Sequence, residues 1–150
     1  MSPVLKVRVV KGEELVVRDF RSSDPYVILT LGKHVHRTRV MKDNLNPVWN
    51  EEFTFPVENK NDCLLSVEVW DNDAFGLDDK MGNATMDLKP LLEENIKDKK
   101  VVSPCKENCL YRDSSIKRVQ GPPGTKVQEA CLKLRNAESG ILTLKFELPA

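Results

Sequence analysis

With 150 residues and a mass of 17.0 kDa, the chain is the size of one domain. At that length folding buries about 68–70% of the surface an unfolded chain exposes, so no disulfide or metal staple is required. Hydrophobic residues at 40% beside charged residues at 31% exclude disorder as the default, and 23 Lys+Arg against 23 Asp+Glu leave no net charge. No global basic field draws the protein to nucleic acid, which is not expected as a partner.

The chain opens with charge (Lys6, Arg8) inside what would be the apolar part of a signal peptide, and no stretch nears the roughly 20 apolar residues of a membrane span. Ser2 and the Leu148-Pro149-Ala150 end carry no lipidation signal. The expectation is an intracellular protein whose membrane contacts are peripheral. The four cysteines, Cys63, Cys105, Cys109 and Cys131, are then read as free thiols. The spacing of Cys105 and Cys109 is not that of a zinc site.

Period-two alternation marks strands at residues 4–10, 64–70 and 141–148. Further strands are predicted at 26–31, 35–40, 52–57, 83–88 and 127–134, with turns at Gly32-Lys33, Asn46-Pro47, Asn72-Asp73 and Ser139-Gly140. Eight strands at this spacing predict an all-β antiparallel sandwich. One short helix is predicted over 89–96, with Pro90 tolerated in its first turn. It opens a segment, 89–126, that holds nine basic and five acidic residues and includes the turn Gly121-Pro122-Pro123-Gly124. This basic insertion precedes the last two strands.

Asp19 and Asp24 bracket the turn after the first strand, and Asp71, Asp73 and Asp79, with Asp78 beside them, follow the strand ending at Trp70. If the two loops meet, five carboxylates converge, and like charges at about 4 Å repel by about 4 kcal/mol per pair at an effective dielectric near 20. A divalent cation removes that cost. Ligation by oxygen alone selects a hard ion, and an irregular set of carboxylates suits Ca²⁺ better than the tight octahedron of Mg²⁺. The alternative is that the aspartates only serve turns, bonding their own backbone. An EF-hand is excluded, because Phe75 and Gly82 stand where that loop needs ligands.

Ser23-Asp24-Pro25-Tyr26-Val27, Asn46-Pro47-Val48-Trp49-Asn50-Glu51 and Trp70-Asp71-Asn72-Asp73 running on to Asp79-Lys80-Met81-Gly82 come in the order and spacing of the C2 domain, which the chain resembles. The resemblance implies calcium coordination by Asp19, Asp24, Asp71, Asp73 and Asp79, completed by main-chain carbonyls of Phe20, Asn72 and Leu77. The first loop is one residue shorter between its aspartates than in the best-known members. Because only three residues precede the first strand, the expected topology is type II, with the strand at 141–148 beside the first. The whole of residues 1–150 is then one C2 domain.

A narrower resemblance, carried by Val17-Arg18-Asp19, Leu77-Asp78-Asp79-Lys80-Met81-Gly82, Asn108-Cys109-Leu110 and Leu132-Lys133-Leu134-Arg135, is to the small plant C2-domain abscisic-acid-related proteins, which overlap the small plant C2 GTPase-activating proteins. That family implies Ca²⁺-dependent binding to anionic phospholipid, recruitment of abscisic acid receptors to the plasma membrane, and, for some members, activation of a YchF-type GTPase or ATPase. It also implies a cytoplasmic, peripheral plasma-membrane and nuclear location. Phe20 and Phe75 sit at expected loop tips that insert among headgroups, unless Phe75 folds back onto its loop, while Arg21 and Lys80 beside the aspartates would hold phosphate. Lys33, Arg37, Arg39 and Lys42 form a basic hairpin segment in which Arg37 and Arg39, at i and i+2, are expected on one strand face. With Tyr26 and Trp70 they match a phosphoinositide site of the family, although Ile28 stands where a lysine is expected; the alternative is a solvated face.

The partner-binding candidates are Lys99, Lys100, Arg112, Lys117 and Arg118 of the insertion. Enzyme motifs are missing: Gly121-Pro122-Pro123-Gly124-Thr125-Lys126 lacks the second glycine and the Ser/Thr of a phosphate loop, and no nucleophile motif is present. The leading expectation is a non-catalytic, calcium-dependent membrane adaptor. The second is a regulator of a nucleotide hydrolase in which Arg112 or Arg118 stabilises phosphates. The third is a C2 fold kept only for protein interaction.

Overall fold

The structure, a computed structural model, describes residues 4–17, 23–57, 63–92, 99–100 and 114–148. Two antiparallel sheets face each other. One has the strand order β4-β1-β10-β9-β8-β7 and the other β3-β2-β5-β6, where β1 is Val4–Glu13, β2 Pro25–Leu31, β3 His34–Arg37, β4 Val48–Pro56, β5 Leu64–Asp71, β6 Asp79–Asp87, β7 Lys99–Lys100, β8 Ser115–Arg118, β9 Lys126–Lys133 and β10 Ile141–Leu148. The strand β10 lies between β1 and β9, paired to both, the place expected of it in a type II arrangement.

Alternation builds the core. Leu5, Val7 and Val9 of β1, Val27 and Leu29 of β2, Val67 and Val69 of β5 and Leu142, Leu144 and Phe146 of β10 are all 0% exposed, while Lys6, Arg8, Ile28, Glu68, Lys145 and Glu147 between or beside them are half-exposed. Trp49 and Phe55 close the core from β4, and the Trp49 indole N–H donates to the Arg39 carbonyl at 2.9 Å.

The eight expected strands are present, with shifted ends. The strand β1 runs on to Glu13 through a bulge between Val9 and Lys11. The strand β6 begins at Asp79, four residues before the expected start, since a bulge between Val69 and Trp70 and a left-handed Gly82 (φ 137°) keep it in register with β5. Among the described residues the insertion adds two further strands, β7 and β8, which extend the larger sheet past β9. They carry too few residues to show a period. Helix α1 is described over Lys89–Leu92, capped by the Asp87 carboxylate on the Lys89 N–H at 2.9 Å; residues 93–96 of the expected helix lie outside the described residues. Cys63 and Cys131 form no disulfide, while Cys105 and Cys109 lie outside the described residues.

Candidate functional site

Three chain segments meet at one end of the sandwich. In the smaller sheet Asp71 stands in register with Pro25 of β2 and with Asp79 of β6. The Asp24 N–H donates to Asp71 Oδ1 at 2.8 Å, and the Asn72 N–H returns a bond to the Asp24 carbonyl at 3.0 Å. Asp43, from the connection between β3 and β4, donates its N–H to Asp24 Oδ1 at 2.8 Å. The expected meeting of Asp24 with Asp71 and Asp79 is therefore present in the backbone. Asp71 is fully buried and Asp79 is exposed.

The connection 72–78 has its own frame. Asp73 Oδ1 accepts the Phe75 N–H at 2.9 Å, an Asx turn, and the Asp73 N–H donates to Asp78 Oδ1 at 2.9 Å. The other oxygen of Asp78 accepts the hydroxyl of Tyr26, 52 residues away in sequence. Glycine at 76 fits this turn, since a Cβ there would lie 3.1 Å from Asp73 Oδ2. The turn leaves Phe75 and Leu77 bare, at 101% and 91% exposure, so Phe75 does not fold back.

These bonds shift two protonation equilibria. The Asp73 N–H first, and the Tyr26 hydroxyl second, hold the Asp78 carboxyl below its ordinary value. Burial, then the bond to Asp78, pushes the Tyr26 hydroxyl up from 10.0 to about 12. The Tyr26–Asp78 pair was not legible in the sequence, because nothing local to either residue announces a partner so distant.

The outer face of the smaller sheet carries a row of aromatic and basic groups. Tyr26 pairs with Trp70, Trp70 pairs with Lys80, the Arg37 guanidinium lies 4.1 Å over the Tyr26 ring, and Lys80 Nζ is 5.6 Å from the Trp70 ring centre. Arg39 does not join it, contrary to the expected i, i+2 pattern. The strand β3 ends at Arg37, and Arg39 turns toward β4, donating to the Trp49 carbonyl at 3.1 Å with its guanidinium 3.7 Å from Glu51. The reason is local: the Thr38 N–H bonds the Val27 carbonyl and its hydroxyl accepts the Val27 N–H, which takes the chain off the strand path.

Asp19, Phe20 and Arg21 lie outside the described residues, as does Arg112. Among the described residues no group of three or more His, Cys, Asp or Glu is arranged to hold a metal ion. The donors that meet at this end are nonetheless all carboxylate and carbonyl oxygens, and Asp24 and Asp73 each spend Oδ1 on a backbone N–H while keeping a second oxygen. Such a set fits a hard cation and not a soft one. Of the partner-binding candidates, Lys99 and Lys100 form β7, Lys117 and Arg118 lie on β8, and Lys117 Nζ is 3.5 Å from Glu129. Among the described residues no helix is long and apolar enough to cross a membrane.

The family model for the C2 domain matches residues 3–102. The Arabidopsis thaliana protein C2-DOMAIN ABA-RELATED 11 is 40% identical over 97% of this chain and 92% of its own length. GTPase activating protein 1 of Oryza sativa subsp. japonica is 43% identical over 96% of this chain and 90% of its own. Among solved structures, the paired C2 domains of Extended-Synaptotagmin 2 superpose with a TM-score of 0.70 at 24% identity, over 98% of this chain and 41% of that one. A single C2 domain of plant Extended Synaptotagmin 1 gives 0.67 at 24% identity, over 99% of this chain and 96% of that one. These structures show the fold.

Proposed function

The chain belongs to the C2 domain family and, within it, to the group of the plant C2-domain ABA-related proteins and rice GTPase activating protein 1, and we propose from that footing that it is a calcium-dependent adaptor for anionic phospholipid membranes. The observation that carries this reading is the coincidence, at one end of the sandwich, of Asp24, Asp71, Asp73 and Asp79 with the bare side chains of Phe75 and Leu77. Asp19, Asp24, Asp71, Asp73 and Asp79, with the carbonyls of Phe20, Asn72 and Leu77, would hold Ca²⁺. Bound calcium would supply positive charge where the loops alone repel an anionic surface. Phe75 and Leu77, with Phe20, then enter the headgroup region, while Arg21, Lys80 and the row Arg37, Tyr26 and Trp70 contact phosphate. Residues 1–150 act as one domain, in the cytoplasm and at the plasma membrane, with the nucleus as a further location. The hairpin of β7 and β8 offers Lys99, Lys100, Lys117 and Arg118, with Arg112, to signalling partners, abscisic acid receptors among them.

Sedimentation with phosphatidylserine vesicles tests this. The protein pellets with Ca²⁺, stays soluble with chelator, and stays soluble in both when Asp73→Asn and Asp79→Asn are combined. Pelleting that ignores either the chelator or the double substitution overturns the reading.

The name of the rice relative, GTPase activating protein 1, favours a second reading, a non-catalytic activator of a GTPase, which the family resemblance narrows to a YchF-type nucleotide hydrolase. In that case Arg118→Ala and Arg112→Ala lower the partner's hydrolysis rate without changing vesicle binding, and unchanged activation removes the arginine's role.

A further inference from the structure

A polar cleft of about 290 Å³ opens on the outer face of the smaller sheet, lined by Ser66, Glu68, Lys80, Gly82, Asn83 and Asn136. Its size falls just below the roughly 300–1,000 Å³ of drug-sized ligand sites, which suits a small headgroup. Ser66 and Glu68 project from β5 and Asn83 from β6, where Glu68 and Asn83 are paired in register. The far wall is the connection between β9 and β10. That wall is pinned by three bonds: Asn83 N–H to the Arg135 carbonyl at 3.0 Å, Arg135 N–H to the Asn83 carbonyl at 2.7 Å, and the Asn136 side-chain amide to Asn83 Oδ1 at 2.7 Å. Glycine at 82 lets the wall approach, because a Cβ there would lie 2.9 Å from Leu134 Cβ. The cleft is thus a fixed concavity between two parts of the fold and not a gap between mobile side chains.

Its chemistry is that of a zwitterion receptor. Among the described residues that line it, half-buried Glu68 is the acid, Lys80 at the rim is the cation, and the remaining polar side chains are a hydroxyl and two amides. A ligand with one phosphate and one primary ammonium meets every one of these groups in the right sense: ammonium to Glu68 and Ser66, phosphate to Lys80, and ester oxygens to the amides. A quaternary ammonium has no N–H to give Glu68. An anion without an amine would face the carboxylate unpaired.

We propose that this cleft binds the phosphoethanolamine group, as carried by an ethanolamine phospholipid or by its soluble glycerol ester. Lys80 alone is shared with the calcium-dependent membrane site, and the binding needs no calcium. The cleft lies beside the acidic end through Lys80, next in sequence to Asp79, so a headgroup held here sits at the flank of the surface that carries Phe75 and Leu77.

The test uses the whole chain in chelator, where the calcium reading contributes nothing. Glycerophosphoethanolamine at millimolar concentration shifts the amide resonances of Ser66, Glu68, Lys80, Asn83 and Asn136, and glycerophosphocholine shifts them weakly. Glu68→Gln, which keeps shape and removes charge, weakens the binding by about tenfold or more. Ser66→Leu, which fills the cleft from the sheet side, abolishes it with an unchanged melting temperature. Co-sedimentation with phosphatidylethanolamine-rich but not phosphatidylcholine vesicles assigns the lipid as the source; binding of the soluble ester alone assigns the free compound. Shifts absent from these residues, equal shifts with the choline ester, or full binding by a folded Glu68→Gln protein overturn the proposal.

Discussion

Replacing Phe75 and Leu77 together by serine isolates membrane insertion from every other property of the protein. At 101% and 91% exposure neither side chain packs on anything, so their removal is expected to change folding stability by no more than about 0.5 kcal/mol. Full transfer of such side chains from water is worth about 1.5–3 kcal/mol each. A loop tip that reaches only the headgroup boundary recovers about half, or about 1.5–3 kcal/mol for the pair, which is roughly a 10–150-fold loss of vesicle affinity. The assay is a titration of phosphatidylserine vesicles in saturating calcium, repeated at higher salt. Salt screens the contributions of Arg37 and Lys80 but not the apolar term, so both proteins weaken while their ratio holds. Equal affinity of the two proteins would refute the insertion, as would a ratio that collapses with salt. A fall in melting temperature would refute the claim that the tip is free of the fold.

Tyr26→Phe removes the bond to Asp78 and is expected to lower the melting temperature by about 2–4 °C, the scale of one hydrogen bond in a chain this size; a double-mutant cycle with Asp78→Asn checks it, since additive effects would mean the pair does not interact. The Tyr26 hydroxyl is raised from 10.0 to about 12 in the folded protein, so its contribution to stability is complete below pH 10, lost between pH 10 and about 12, and visible as late phenolate absorbance missing in Tyr26→Phe. Arg37→Ala is expected to weaken lipid binding and leave stability unchanged, whereas Arg39→Ala, which loses the contacts to the Trp49 carbonyl and Glu51, does the reverse; thermal melts beside vesicle titrations separate them. Gly82→Ala forces a left-handed residue to carry a Cβ 2.9 Å from Leu134 Cβ, and is expected to cost about 1–3 kcal/mol in denaturant unfolding.

Alternation made the strands legible, because a half-buried strand writes its period directly into the chain, as with Leu5, Val7 and Val9 or Leu142, Leu144 and Phe146. Strand ends were less legible where tertiary pairing extends them: the reach of β6 back to Asp79 depends on a bulge opposite Trp70 and on the φ of Gly82. The hairpin of β7 and β8 left no trace, since two and four residues cannot display a period. At the site, residue types and spacing singled out Asp24, Asp71 and Asp79, whose backbones meet, and Phe75, which stands exposed. They failed for Arg39, where an i, i+2 rule assumed a strand that a threonine side chain had already ended, and for the cleft at Glu68, which joins segments from three separate parts of the chain.

The hydrogen bonds at the acidic end bear on how its residues should be probed. Asp71 is fully buried, and its Oδ1 accepts the Asp24 N–H; Asp24 in turn accepts the Asp43 N–H. Both carboxylates therefore join separate segments of the chain irrespective of any cation. Alanine at 71 would strip the half-buried Asp24 N–H of its acceptor, a cost of about 1 kcal/mol. Lost vesicle binding in that variant would report a displaced loop as readily as a lost ligand. Asp73 and Asp79 differ: asparagine at 73 keeps an oxygen for the Phe75 N–H, and Asp79 is exposed on β6. Charge at the site is removable there without dismantling the frame. The same frame predicts that the loops stand near their working geometry before calcium arrives, so saturating calcium should move the amide resonances of 71–79 strongly and those of the β2–β5 ladder little. Large shifts propagating along β2 and β5 would mean that the frame is built by the cation and not by the hydrogen bonds.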